Sequence, residues 1–472
     1  MRDARHARDI QREYRVLRCD AWLSRYFGGE GYLLTLGVLA LVGHIFALEI
    51  ITMPLMLLSA SVGIGLSGSF RPFSAVLVTF IFQCSVENAP SMPSFSSYYY
   101  TDWRGVLLFS LLVLVATVSV VYLIRNKRIS IARIRALPYK GVSVLLSISL
   151  ILSGAASGEW LGASLLWGAL EAVCLVLLPY FLMLALSDSD ADGALDYLIS
   201  LAEILALVLI VETAHLYLTG DVIADGVAQK GQVLYGWGIW TTAGMDMAVL
   251  IPLLALGAIR ERRPLFRFLL MHVLYISCVL TLSRNALLFG GLALLLSAVA
   301  VLKKAPLRRI FSRIYFALGI IAILVLPIFV PHTLRLLNDF LERGFSDNGR
   351  IELWRYGIEC FLESPIFGKG FFALSTDTFR AEDIFPPMLH NTFIQLAAAA
   401  GAFGLLSYIA WESARLWRLI LPCNTERFLL FLSLMTLLLM SLFDNFIFHL
   451  QPTFIFALLL ATAEKEKSLR EA

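Results

Sequence analysis

The chain has 472 residues, of which 59% are hydrophobic and 15% charged, against about 45–50% apolar and about 25% charged in an ordinary soluble chain. With a mean hydropathy of +0.78, this composition excludes a soluble globular enzyme and predicts an all-α, polytopic bundle of transmembrane helices. Continuous apolar runs such as 105–124, without period-2 alternation, disfavour a transmembrane barrel, and the net charge of +3 says less than the placement of the charges.

In chain order, residues 1–31 carry Arg2, Arg5, Arg8, Arg12, Arg15, Arg18 and Arg25 with no apolar core between them. They are expected to form a basic cytoplasmic arm, not a cleaved signal. Spans are predicted near 32–49, 51–69, 72–86, 105–124, 141–157, 162–187, 196–218, 242–259, 268–284, 285–302, 314–331, 391–413, 428–446 and 450–463. At roughly 20 residues each these make about 12 to 14 crossings of one integral membrane domain covering 1–472. With the N-terminus inside, the connections 125–140, 260–267, 303–313 and 414–427 are cytoplasmic. Together with both termini and Arg71 they hold about 29 of the 38 basic residues, as the positive-inside rule requires. The six cysteines show neither a disulfide framework nor a zinc spacing.

Acidic residues within spans, namely Glu171, Glu203, Glu212, Asp246 and Asp444, are costly in hydrocarbon and are functional candidates by default. They keep open a second reading, a multispan transporter or flippase. Glu212 and His215 share a helix face three residues apart, either as a proton relay or as a pair meeting water at the external end of their span.

One extracytoplasmic connection is long, 332–389, and carries Arg335, Arg343, Arg350, Arg355, Lys369 and Arg380 on the side where orientation does not need them. Such a cluster fits an anionic partner or a solvated surface. Within it Ser346-Asp347-Asn348-Gly349 predicts a helix start capped by Asp347 or Asn348, and Ser364-Pro365 predicts its end. Arg350, Trp354, Gly357 and Phe361 fall on one face of that helix. Pro365-Ile366-Phe367-Gly368-Lys369-Gly370 predicts an exposed, tightly turned backbone.

Two further residues belong to the same membrane face. Arg284 lies where one span ends outside and the next begins, as a snorkelling arginine or as a site residue. His390 follows a proline pair and opens a span, where the helix macrodipole disfavours an imidazolium and a neutral, proton-accepting ring is expected. The run Ala397 to Gly404 is rich in small residues that let this helix approach its neighbours closely. The aromatic residues Tyr98, Tyr99, Tyr100, Trp103, Tyr235, Trp237 and Trp240 fit an interfacial belt or sugar stacking.

Four motifs carry a family resemblance: Ser283-Arg284-Asn285-Ala286, Gly349-Arg350-Ile351-Glu352-Leu353-Trp354, Pro365 to Gly370, and Leu389-His390-Asn391-Thr392-Phe393 through Gly401-Ala402-Phe403-Gly404. Over about residues 280–412 they resemble the O-antigen ligase and polymerase superfamily in order, spacing and the long external loop between them. Where that family often opens an earlier span with an Asn-Pro-Asn-like element, this chain reads Tyr235-Gly236-Trp237-Gly238-Ile239-Trp240-Thr241-Thr242.

The resemblance implies a metal-independent glycosyltransferase of the bacterial cytoplasmic membrane, with its active site on the extracytoplasmic face and no cofactor. Its donor would be an undecaprenyl-diphosphate-linked oligosaccharide, its acceptor a glycan or lipid hydroxyl, its surroundings the lipid bilayer, with no nucleic-acid partner. Arg284 and Arg350 would stabilise the diphosphate through bidentate guanidinium contacts, and His390 would act as general base in an inverting displacement. Arg335, Arg343, Arg380, Trp354 and Lys369 are expected as substrate contacts.

Overall fold

The computed structural model describes residues 22–67, 69–82, 103–127, 129–158, 160–185, 193–220, 222–224, 227–229, 232–235, 238–260, 263–317, 319–320, 349–374, 387–421, 423–446 and 450–471. The arm through residue 21, Tyr98 to Tyr100, Trp237, Arg335, Arg343, Asp347, Asn348 and Arg380 lie outside them.

Its principal helices are α1 (Glu30–Ile45), α2 (Glu49–Ser67), α3 (Ser74–Phe82), α4 (Trp103–Arg125), α5 (Lys140–Ile151), α6 (Ala194–Thr219), α7 (Trp240–Ile259), α8 (Pro264–Leu280), α9 (Arg284–Lys304), α10 (Arg350–Glu363), α11 (Thr392–Ile420), α12 (Thr425–Met440) and α13 (Leu450–Glu471). The stretch Trp160–Ala185 is also helical, with π-type turns at Trp160–Ser164 and Ala172–Leu177. Strand structure among the described residues amounts to two antiparallel pairs of two-residue strands within 223–239. The architecture is the all-α, polytopic one that the composition predicts.

Seven helices among the described residues are long and apolar enough to cross a membrane: Glu49–Leu66, α4, Trp160–Ala185, α6, α7, α9 and α11. Shorter apolar helices, α1, α5, α8 and Thr453–Glu464, stand where further spans were predicted. At 1.5 Å per residue the 12 residues of α5 cover about 18 Å, less than the roughly 30 Å of hydrocarbon. Hydropathy marks such stretches as spans, but their helices stop short.

The chain folds as two compact units, 1–138 with 179–239 and 454–472, and 139–178 with 240–453. No linker or break in composition marks the division. In the first unit α1 and α6 lie side by side and run the same way: Ser200 Oγ donates to Glu30 Oε1 (3.4 Å) at one end, and His44 Nδ1 stands 3.7 Å from Glu212 Oε1 at the other. These are the first and seventh predicted spans, both of odd number, and a parallel pair is what that count demands. Glu212 is buried there, and His44 bridges it to the His215 ring, 5.5 Å from its own. Glu212 thus stands beside a histidine from another helix as well as near His215 of its own.

In the second unit α7 is almost wholly buried and packs against α8, α9 and α12. α5 runs antiparallel to α11, tied by Trp411 Nε1 donating to Ser143 Oγ (3.0 Å) and Ser153 Oγ donating to the Ala399 carbonyl (2.7 Å). Arg415, counted on the sequence among the orienting cytoplasmic charges, is buried with its guanidinium 3.7 Å from the Trp411 ring centroid and 3.1 Å from Glu412. A buried, paired and stacked arginine belongs to the packing of α11, whatever it adds to orientation.

Candidate functional site

Three helix ends meet in the second unit. After α8 the chain passes Leu282 in the left-handed region (φ 57°), and Ser283 then caps α9 by accepting from Ala286 N (3.4 Å). Arg284 is therefore held at the first position of α9, with Asn285 next. A second approach leads through Pro387–Leu389 to His390, also left-handed (φ 51°), and to Asn391, whose Oδ1 accepts from Phe393 N and Ile394 N (both 3.0 Å) and caps α11. Gln395 clamps this approach, donating to the Pro387 carbonyl (3.0 Å) and accepting from Leu389 N (2.7 Å). The third end is the C-terminus of α12, which unwinds after Met440 into a turn carrying Asp444.

That turn brings Asp444 Oδ1 to 3.0 Å from His390 Nδ1, with the same oxygen accepting from Asn445 N (2.9 Å). With the carboxylate ionised, Nδ1 carries the proton and donates, so Nε2 is left as the basic nitrogen. His390 is partly exposed and Asp444 buried, an arrangement in which an acid orients a histidine that solvent or substrate can reach. On the sequence Asp444 counts only as an intramembrane acid. Nothing in the spacing pairs it with a histidine 54 positions earlier, and only the convergence of α11 and α12 reveals it.

Arg350 opens α10. Its N-cap is Gly349, left-handed at φ 76°, and the predicted capping residues Asp347 and Asn348 lie outside the described residues. Glycine turns the chain into the helix without a Cβ penalty. Burial pushes the Arg350 guanidinium below its ordinary value, the Asp444 carboxylate acts against this, and the neighbouring Arg284 adds to it. Arg284, Arg350, His390 and Asp444 thus share one electrostatic neighbourhood, with two like-charged guanidiniums beside one carboxylate.

The predicted face of α10 packs as expected. Gly357 is buried against α11, where a Cβ would stand 2.5 Å from Ile394 Cγ2 and 2.7 Å from Leu389 Cδ1. Trp354 lies one turn beyond Arg350, its ring 6.4 Å from that of Phe443 and its buried Nε1–H without a hydrogen-bond partner among the described residues. Lys369 is ion-paired with Glu363, whose hydrogen bond raises the lysine's pKa.

The Pro365–Gly370 segment is the exposed turn expected only at Pro365 and Ile366. Gly368 and Gly370 are buried, and the segment forms a main-chain seam with α11: Lys369 N donates to Ala398 O, Gly370 N to Ala399 O, Ala402 N to Pro365 O and Phe403 N to Ile366 O, at 2.8–3.2 Å. α11 breaks to receive it, Gly401 taking φ 68° and ψ −166°, a region that essentially only glycine occupies. From α5 and the turn after it, Gly154 N donates to Phe367 O (2.9 Å), and Ser157 Oγ to Lys369 O (2.8 Å). The N–H groups of Lys369 and Gly370 are spent on α11 carbonyls, so this turn is no phosphate cradle. The small residues at 397–404 admit this segment close to the α11 backbone.

The match to known proteins falls on this region. Residues 266–409 match the family model described as O-antigen ligase, from the first turn of α8 into α11, including Arg284, Arg350 and His390 but stopping short of Asp444. No curated protein matches the chain. The chain has the helices of a multi-pass membrane protein, and its segment 266–409 is similar to the O-antigen ligase family.

Proposed function

We propose that this protein transfers a glycan from an undecaprenyl-diphosphate-linked donor to an acceptor hydroxyl on the extracytoplasmic face of a bacterial cytoplasmic membrane, in the assembly of surface polysaccharide. The observation that carries the reading is the His390–Asp444 hydrogen bond, with Arg350 in the electrostatic range of both Asp444 and Arg284. A leaving diphosphate gathers negative charge as its bond to the anomeric carbon breaks, and a preorganised pair of guanidiniums stabilises that charge without a metal. An anionic ligand also relieves the repulsion between Arg284 and Arg350.

In the step itself the acceptor oxygen forms a bond to the anomeric carbon from the side opposite the diphosphate. The C–O bond to the diphosphate breaks and its electron pair leaves with the phosphate oxygen, while His390 Nε2 takes the hydroxyl proton. Attack from the opposite side inverts the anomeric centre. Asp444 holds the histidine in the accepting tautomer and offsets the charge that forms on it. Trp354 and Lys369, with Arg335, Arg343 and Arg380 in the same loop, supply donor or acceptor contacts in this reading.

The test is transfer from a lipid-diphosphate glycan to an acceptor by the purified protein in detergent. His390→Ala is expected to lower the rate about 10²–10⁴-fold, and Arg284→Ala to lower it severely. Robust transfer by both variants would overturn the assignment, and counterflow of a solute without any transfer would favour a transporter.

A further inference from the structure

We infer that Asn285 and Asn391 are positioning residues that set Asp444 against His390, each by donating its side-chain N–H to a carbonyl of the turn that carries the acid. The chemistry of this inference rests on the transfer reading, whereas its geometry does not.

The last carbonyls of a helix have no partners within it, and the turn after α12 continues that deficit. Besides Phe443 N, which donates to Met440 O within the turn (3.1 Å), the partners come from two other helix starts. Met440 O accepts from Asn285 Nδ2 (2.9 Å), Ser441 O from Thr392 N (3.0 Å), Leu442 O from Asn391 Nδ2 (2.8 Å) and Asp444 O from Thr392 Oγ1 (3.4 Å). Every one of these donors follows Arg284 or His390 directly in the chain or lies one residue further on. The turn thereby takes its position from the same two helix ends that present the arginine and the histidine, and Asp444 is placed relative to both.

The residue type supports the role. At an N-cap, serine, threonine or aspartate would accept from the first helical N–H groups about as well as asparagine, yet none offers a donor of the same reach. Asn391 uses both ends of its amide, Oδ1 for α11 and Nδ2 for Leu442 O. Asn285 sits in the first turn of α9, where the macrodipole favours a carboxylate, and an amide there supplies the donor that a carboxylate lacks. A residue needed only to cap or to fill space would not require an N–H at either place.

The experiment is a set of cycles with Asp444→Asn, the reference in which His390 has already lost its ionised partner. Asn391→Ser keeps the cap and removes the donor, Asn391→Asp repeats this in an isosteric side chain, and Asn285→Ala removes the other donor. In the otherwise intact protein each is expected to lower kcat about tenfold with KM within about twofold, and to speed amide exchange across 441–445. In the Asp444→Asn background the same substitutions are expected to cost little more, because they act through the acid. Unchanged kcat in Asn391→Ser and Asn285→Ala, or losses that multiply fully in the Asp444→Asn background, would overturn the inference. Should the parent protein show no transfer at all, the proposed function fails, and the exchange measurement alone decides the brace: unaltered protection of 441–445 in both Asn391 variants rejects it.

Discussion

His390 holds a left-handed backbone at φ 51°, a conformation uncommon for residues other than glycine and enriched at functional positions. It persists because both flanks are fixed, by Asn391 capping α11 and by Gln395 holding Pro387 and Leu389. The ring then has one set direction, toward Asp444. Asp444→Asn keeps the shape but lets an amide donate to Nδ1, presenting a protonated Nε2 in place of a basic one. We expect kcat to fall by at least about 10²-fold, KM to stay nearly constant and the thermal midpoint to move little. A kcat near that of the parent protein would separate Asp444 from catalysis. At this scale the sequence was informative about where Arg284, Arg350 and His390 stand, at or just before helix starts, because helix starts are local features. It was uninformative about Asp444, because an acid at the end of a span reads the same whether it faces a substrate path or a histidine from another helix.

At the scale of elements the seam between Pro365–Gly370 and α11 decides how α10 is held. Its bonds are main chain to main chain, so the glycines are the positions where side-chain identity matters most. A Cβ at Gly401 would lie 2.3 Å from the Ile366 carbonyl oxygen, on a backbone that an L side chain avoids. Gly401→Ala is expected to cost at least about 1–3 kcal/mol and to lower the thermal midpoint measured in detergent. Gly141→Ala is the control, since beyond its own turn of α5 nothing lies within 4 Å of the added Cβ and alanine is the better helix former by about 1 kcal/mol. An equal midpoint for the two variants would show that the seam bears no strain. The sequence made the glycines conspicuous but misassigned their use. Glycines around a lysine signal tight turning in either case, and only the partner, a broken helix 30 residues on, tells a buried seam from an exposed loop.

For the whole molecule, the all-α class, most helix positions and the direction of α1 relative to α6 were legible in hydropathy and charge. The division into two units was not, because membrane helices of both carry the same apolar composition. Nor was the placement of the buried acids. Glu203 and Glu212 lie in the first unit, and Glu171, Asp246 and Asp444 in the second, whereas hydropathy treats all five alike. The predicted topology puts the 125–140 connection inside and α10 outside. In a variant lacking the six native cysteines, Asn126→Cys is expected to resist a membrane-impermeant thiol reagent applied to intact spheroplasts. Leu362→Cys, which is 68% exposed, is expected to react. Labelling in the reverse pattern would invert the orientation and move the site to the cytoplasmic face.

The seam also constrains the order in which the protein can be completed. Ser153 donates to Ala399, 246 positions later, and Ser157 to Lys369, 212 positions later. A chain inserted from its N-terminus as it is synthesised must therefore hold α5 and its polar C-terminal turn in the membrane long before those acceptors exist. The Gly154 amide is in the same position, its acceptor being Phe367. Unsatisfied polar groups are costly in hydrocarbon, so this turn waits at the interface or borrows water until α11 arrives. Closing the seam thus waits for residues up to Phe403, and the His390–Asp444 contact, which needs the turn after α12, waits longer still.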